Sequence, residues 1–187
     1  MMTFGQAAAN SQPVSLFAPG HYQVDSAATK AHFHVKALIG GYEGDFVAPE
    51  GSVTIDESHP GRAVIDIRFP VDRLTTGDES TDAMLKGASF FDVKHFPTVE
   101  FAATDAPIVT TSAATPVAGQ LTMHGQSRPV TISVRLTDTI AGGAGHGSAL
   151  HFSGNLTIDR SQFGMGFGTP FLSDRVNLTV EAFFRRS

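Results

Sequence analysis

Ala88-Ser89-Phe90-Phe91-Asp92-Val93-Lys94-His95-Phe96-Pro97-Thr98-Val99-Glu100-Phe101 follows the one convincing helical segment of the chain and leads into a strand. Four of the fifteen phenylalanines fall within these fourteen positions. A surface loop has no use for Phe90, Phe91 and Phe96 together, because each exposes a large apolar area that water disfavours. Either something covers them or they cover something.

Upstream of this stretch, Thr76-Gly77-Asp78-Glu79 reads as a helix start. Thr76 and Glu79 have capping-box spacing, the acidic residues Asp78, Glu79 and Asp82 suit the positive end of the helix dipole, and Lys86-Gly87 ends the element. The helix, over about residues 78–86, is short enough that it must dock through Met84 and Leu85 to persist. Elsewhere the pattern has period two, which sends alternate side chains to opposite faces of a strand. Strands are expected at His21–Ser26, Lys30–Leu38, Arg62–Phe69, Thr98–Thr104, Val117–His124, Pro129–Asp138, Ser148–Asp159 and Asp174–Phe184. Glu43–Asp56 is expected to bend or split at Pro49-Glu50-Gly51. His124-Gly125-Gln126-Ser127 reads as a tight hairpin and Ala141–Gly147 as a glycine-rich hairpin tip.

About eight antiparallel strands, each apolar on one face, need an inside and an outside. A closed barrel and a two-sheet sandwich both satisfy this. The inserted helix and the surplus phenylalanine favour an all-β barrel with a plugged or liganded mouth, spanning residues 21–187 behind a flexible N-terminal arm at 1–20. Met1–Gly20 carries no basic n-region and no sustained apolar h-region. As it stands the sequence therefore points to the cytoplasm, and to the periplasm or exterior if a signal was trimmed near Ala7-Ala8-Ala9-Asn10.

A net charge of −5 with no basic cluster argues against nucleic acid as a partner. The absence of cysteine removes thiolate catalysis, disulfides and cysteine metal sites. No apolar run approaches the roughly 20 residues of a membrane-spanning helix. His32 and His34 share a strand face at a spacing that a metal uses, with His151 or an aspartate as third ligand; the solvent side of an amphipathic strand is the favoured account of both, and no metal site is expected. No nucleophile elbow is present, and Gly164-Met165-Gly166-Phe167-Gly168 lacks the spacing and βαβ context of a dinucleotide site.

The apolar surplus in connecting segments is the stronger signal. Phe90, Phe91, Phe96, Phe163, Met165, Phe167, Phe171 and Leu172 either close the barrel ends as a small core or line a pocket for a long apolar ligand. If the strand faces point inward, the lining comprises Phe33, Val35, Phe46, Phe101, Leu121, Phe152 and Phe163. Leu85, Met165 and Phe167 join them, and Phe90 and Phe91 form a lid or end wall.

Five segments together resemble the YceI-like family across Tyr22 to Phe184. They are Tyr22–Asp25, Asp82–Leu85, Phe90–Pro97 with Phe101, Gly119–Gly125 running to Arg128-Pro129-Val130, and Asp159–Met165. The resemblance implies an extended, lipocalin-like antiparallel barrel, often a homodimer, enclosing an apolar tunnel for polyisoprenoid chains such as isoprenoid quinones or prenyl pyrophosphates, and often exported to the periplasm. Where the family often has a histidine after the first strand this chain has Ala28; a second becomes Ala37, and the basic residue before the helical aspartate becomes Thr81. The expected function is a non-catalytic carrier or sequestering protein for a long isoprenoid-type lipid, with no other cofactor. The alternatives are an enzyme using His32, His34 or Asp159 as acid or base on an apolar substrate, and a structural or interaction barrel with a solid core.

Overall fold

The computed structural model describes residues 17–140 and 149–187. Most of the expected N-terminal arm and the glycine-rich tip at Ala141–Gly147 lie outside the described residues. Ten strands form one antiparallel sheet: β1 (Gly20–Val24), β2 (Lys30–Ala37), β3 (Gly41–Val47), β4 (Glu50–Ile55), β5 (Arg62–Pro70), β6 (Thr98–Pro107), β7 (Thr115–Met123), β8 (Gln126–Ile140), β9 (Ala149–Asp159) and β10 (Leu172–Arg186). The order β1-β4-β5-β6-β7-β8-β9-β10 closes on itself through β1 and β10, with Tyr22 opposite Arg186 and Val24 opposite Phe184.

Two breaks in the chain explain why ten strands make an eight-staved barrel. β10 is long enough to pair with β1 near its end and with β2 along Leu172–Glu181, so β1 and β2 act as one interrupted stave. β3 and β4 form another, bent at Ala48-Pro49, where Ala48 has φ 54°. This is the split expected around Pro49. At the bend β3 parts from β5; Asp45 instead exchanges backbone hydrogen bonds with Thr75 (2.8 and 3.0 Å).

The one α-helix among the described residues, α1 (Glu79–Lys86), covers the opening this leaves. Leu85 from the helix and Leu74 before it pack with Phe33, Phe46 and Phe90. Phe46 meets Phe91 edge-on at 5.3 Å between ring centroids. Apolar docking thus holds an eight-residue helix too short to persist alone. Its N-terminus corrects the expected capping box. Asp78, not Thr76, is the cap, its carboxylate accepting from the Thr81 N–H at 2.7 Å. Thr76 donates its hydroxyl to Asp82 Oδ1 at 2.7 Å, and its N–H reaches the same oxygen at 2.6 Å. Gly77, in the left-handed region at φ 82°, and Asp78 separate Thr76 from the first turn, so the threonine anchors the loop to the Asp82 side chain and does not cap the helix.

Period-two alternation decides which faces turn inward. On β2, Ala31, Phe33 and Val35 are buried while His32, His34 and Lys36 face outward. The Asp25 carboxylate accepts from Arg185 at 2.9 Å, tying the break between β1 and β2 to β10 at the closure. Arg185 holds that carboxyl below the ordinary aspartate range.

Candidate functional site

The barrel interior holds a cavity of about 480 Å³ whose wall is almost entirely hydrocarbon. Its deep wall comes from inward positions of the strands, among them Phe33 and Val35 on β2, Phe101 on β6, Leu121 on β7, Ile158 on β9 and Leu178 on β10. Leu85, Phe90 and Phe91 cover the side that β3 and β5 leave open. Phe90 is buried and Phe91 half-buried.

The mouth is formed by the turn between β2 and β3, by Met84 of α1, and by the segment from Met165 to Leu172. Apolar side chains stand exposed there: Ile39 at 92%, Leu38 at 77%, Phe171 at 67% and Phe167 at 62%. Only Val64, among the large apolar residues that are strongly exposed in the described structure, lies elsewhere. Scattered exposed apolar residues are ordinary; their concentration around one opening marks a site where something apolar is met.

Among the described residues, two polar side chains border this cavity, Tyr42 at the mouth and Arg160. Arg160 is 4% exposed. Its Nε donates to the Ser173 carbonyl at 2.9 Å, one terminal nitrogen to the Phe167 carbonyl at 2.7 Å and to that of Met165, and the other to the Leu172 carbonyl at 3.0 Å and the Thr169 hydroxyl at 3.3 Å. All five N–H groups of the guanidinium are consumed. Burial pushes its pKa down and Asp174 opposes that. The Asp174 carboxylate in turn accepts from the Ser161 hydroxyl (2.7 Å) and N–H (2.8 Å), which hold it below the ordinary aspartate range. Arg160 therefore pins the mouth segment Met165–Leu172 from within and has no donor left over for a ligand. The cavity can hold an apolar chain, and Arg160 offers a head group in its depth no free hydrogen-bond donor.

A second apolar cavity of about 130 Å³ lies further along the barrel, between Tyr22, Ile55, Val117, Leu150 and Phe184.

Of the side chains expected to form the lining, Phe33, Val35, Phe46, Leu85, Phe90, Phe91, Phe101, Leu121 and Met165 border the larger cavity. Phe167 borders it too, but from the exposed rim. Phe152 borders only the smaller one. Phe163 borders neither; it is 1% exposed in the core with Leu121, Met123, Ile158 and Met165, because the 3₁₀ turn Arg160–Phe163 directs it behind the wall. Phe96 lies over the β7–β8 hairpin, 4.8 Å from the His124 ring. Ile132, Leu156, Val176 and Val180 line the larger cavity without having been singled out. Their alternation on β8, β9 and β10 was visible, but strand face alone does not say how deep a residue sits. Ile39 lies in the turn between β2 and β3, and nothing in the local sequence marks it for the mouth.

His32, His34 and Asp159 border neither cavity. His32 Nδ1 lies 2.9 Å from Asp45 Oδ1 on the outer face. His151 sits on β9, beyond β10 from β2, with Nε2 2.6 Å from Glu181. No group of three metal-ligating side chains forms among the described residues. Of the positions where the resemblance suggested a lost polar contact, only Ala37 lies at the mouth; Ala28 is exposed in the β1–β2 break and Thr81 sits in the first turn of α1.

A UPF0312 protein of Pseudomonas aeruginosa (strain UCBPP-PA14) is 28% identical over 165 residues, covering 85% of this chain and 83% of that one. A UPF0312 protein of Enterobacter sp. (strain 638) is 28% identical over 118 residues, covering 62% of this chain and 60% of that protein's length. Among solved structures, Burkholderia cenocepacia BcnA superposes with a TM-score of 0.71 at 25% identity, over 86% of this chain and 98% of that one. A polyisoprenoid binding domain from Saccharophagus degradans has the same fold at 13% identity, with a TM-score of 0.67 over 89% and 98% of the two chains. The YceI-like domain model matches residues 22–184, from the first strand of the closed barrel to the last, and the chain belongs to that family.

Proposed function

We propose that this protein binds a long apolar lipid of the polyisoprenoid or isoprenoid-quinone class in the larger cavity and acts as its carrier or sequestering protein. One observation carries the reading: a hydrocarbon-walled cavity of about 480 Å³, open at one mouth, whose only charged lining side chain among the described residues, Arg160, has every donor engaged by the segment it pins. Each buried methylene-sized unit contributes about 0.8 kcal/mol before the cost of ordering the chain. Head-group contacts then belong at the mouth, where Tyr42 provides a hydroxyl among the lining residues. The polyisoprenoid-binding description of the Saccharophagus degradans relative supports the same ligand class. The working unit is a homodimer, in which a second copy would shelter part of the exposed apolar rim; sedimentation at micromolar concentration tests this, and a strictly monomeric protein would refute it. Native mass spectrometry of protein purified from bacterial cells tests the carrier reading. A co-purifying isoprenoid-class mass is expected. Protein that carries no lipid, and takes up no prenyl lipid when offered one, would overturn it.

A further inference from the structure

The two cavities share three wall residues: Phe101 on β6, Ile132 on β8 and Val180 on β10. These come from alternate staves of the closed ring, so they reach inward from three sides at one level. The intervening strands make room for them with glycine. An added Cβ at Gly119 of β7 would sit 2.5 Å from the Phe101 ring, and one at Gly154 of β9 would sit 3.0 Å from Ile132 Cγ2 and 3.8 Å from Val180 Cβ. Glycine inside a strand weakens it and marks a place where another group approaches closely; here that group is the partition. Phe101 packs against apolar clusters on both sides of the level, and so does Val180.

We infer that Phe101, Ile132 and Val180 form a partition that sets how much of an apolar chain the barrel can bury, with Phe101 as its main element. This deepens the lipid-binding reading and rests on it. At about 30 Å³ for a carbon-sized unit, close to the share of a liquid water molecule, the 480 Å³ cavity holds about sixteen carbons, or about three isoprene units. A longer chain keeps its remainder outside the mouth, over Leu38, Ile39 and Phe171. Removing the Phe101 ring joins the second cavity to the first, raising the buried length to at least about 20 carbons on the same volume per carbon.

The test is a displacement assay with geraniol, farnesol, geranylgeraniol and solanesol, which carry two, three, four and nine isoprene units, on the full chain and on Phe101→Ala. A buried carbon-sized unit strengthens binding by about fourfold before ordering costs. The unaltered protein is expected to bind farnesol at least about tenfold more tightly than geraniol, and solanesol within about threefold of geranylgeraniol, since the added carbons stay outside. Phe101→Ala should bind geranylgeraniol at least about tenfold more tightly than farnesol. Ile132→Ala opens the same level from another strand and should move the limit in the same direction, which guards against a folding defect peculiar to one variant. Solanesol binding the unaltered protein a hundredfold or more tighter than farnesol, or a length limit unmoved in both variants, would overturn the partition while leaving lipid binding intact. Failure of every prenol to bind any of the three proteins would overturn the lipid-binding reading, and the partition with it.

Discussion

Replacing Arg160 with methionine keeps much of the apolar stem of the side chain and removes its five donors. Four carbonyls (Met165, Phe167, Leu172 and Ser173) and the Thr169 hydroxyl then lose a partner. The bond to Met165 is fully buried, and an orphaned buried acceptor costs about 1–3 kcal/mol. The other four are partly buried, and water can replace the guanidinium at some of them; about 0.5–1 kcal/mol each is the appropriate scale. Relief of the charge-burial penalty offsets part of the sum, leaving a loss of about 3 kcal/mol, at the lower edge of what breaking a buried charged network costs. For a chain of this size that corresponds to a fall in Tm of about 6–12 °C. Differential scanning calorimetry with urea unfolding measures it. Arg160→Lys should recover less than half of the loss, because an ammonium carries three donors from a single point and cannot span acceptors spread over residues 165–173. A Tm change below 2 °C in Arg160→Met, or full recovery by lysine, would refute the view that this guanidinium organises the mouth.

Other outcomes follow from the same geometry. Leu85→Ala should cost about 2–3 kcal/mol in urea unfolding, near the low end for a buried leucine because the side chain already borders a cavity. Asp78→Ala should destabilise by about 1 kcal/mol and Thr81 amide exchange should accelerate, whereas Glu79→Ala, outside the cap, should stay within about 0.5 kcal/mol. Asp174 and Asp25 both have folded-state pKa values below the ordinary one. The stability they supply is complete above about pH 4 and disappears as the pH falls through the folded values. The acid limb of a Tm–pH profile should therefore be shallower in Asp174→Asn, and an unchanged limb would count against the Ser161–Asp174 contact.

Much of the barrel was legible because a strand with one wet face has a fixed period. Ala31, Phe33 and Val35 alternate with His32, His34 and Lys36, and no packing information is needed to see which set turns inward. Pro49 marked its own break. Thr76 misled because a capping box is recognised by spacing, whereas the cap is decided by which residue has extended backbone next to the first turn, and that is Asp78. Phe163 misled for a related reason: its direction depends on a 3₁₀ turn that the flanking alternation does not reveal. The roles of Ile132 and Val180 were hidden more deeply. Inward facing can be read from one strand, but height in a barrel depends on the stagger of all the strands together. Arg160 stands beside Ser161 with nothing local to show that its partners lie up to thirteen residues away.

The most direct test of the central claim is a methyl-resolved NMR titration with farnesol. Occupancy of the larger cavity predicts that the methyls of Leu121, Ile158, Val176 and Leu178 shift together, while Val64 on the outer surface stays still. Shifts confined to surface methyls, or none at saturating ligand, would contradict the account.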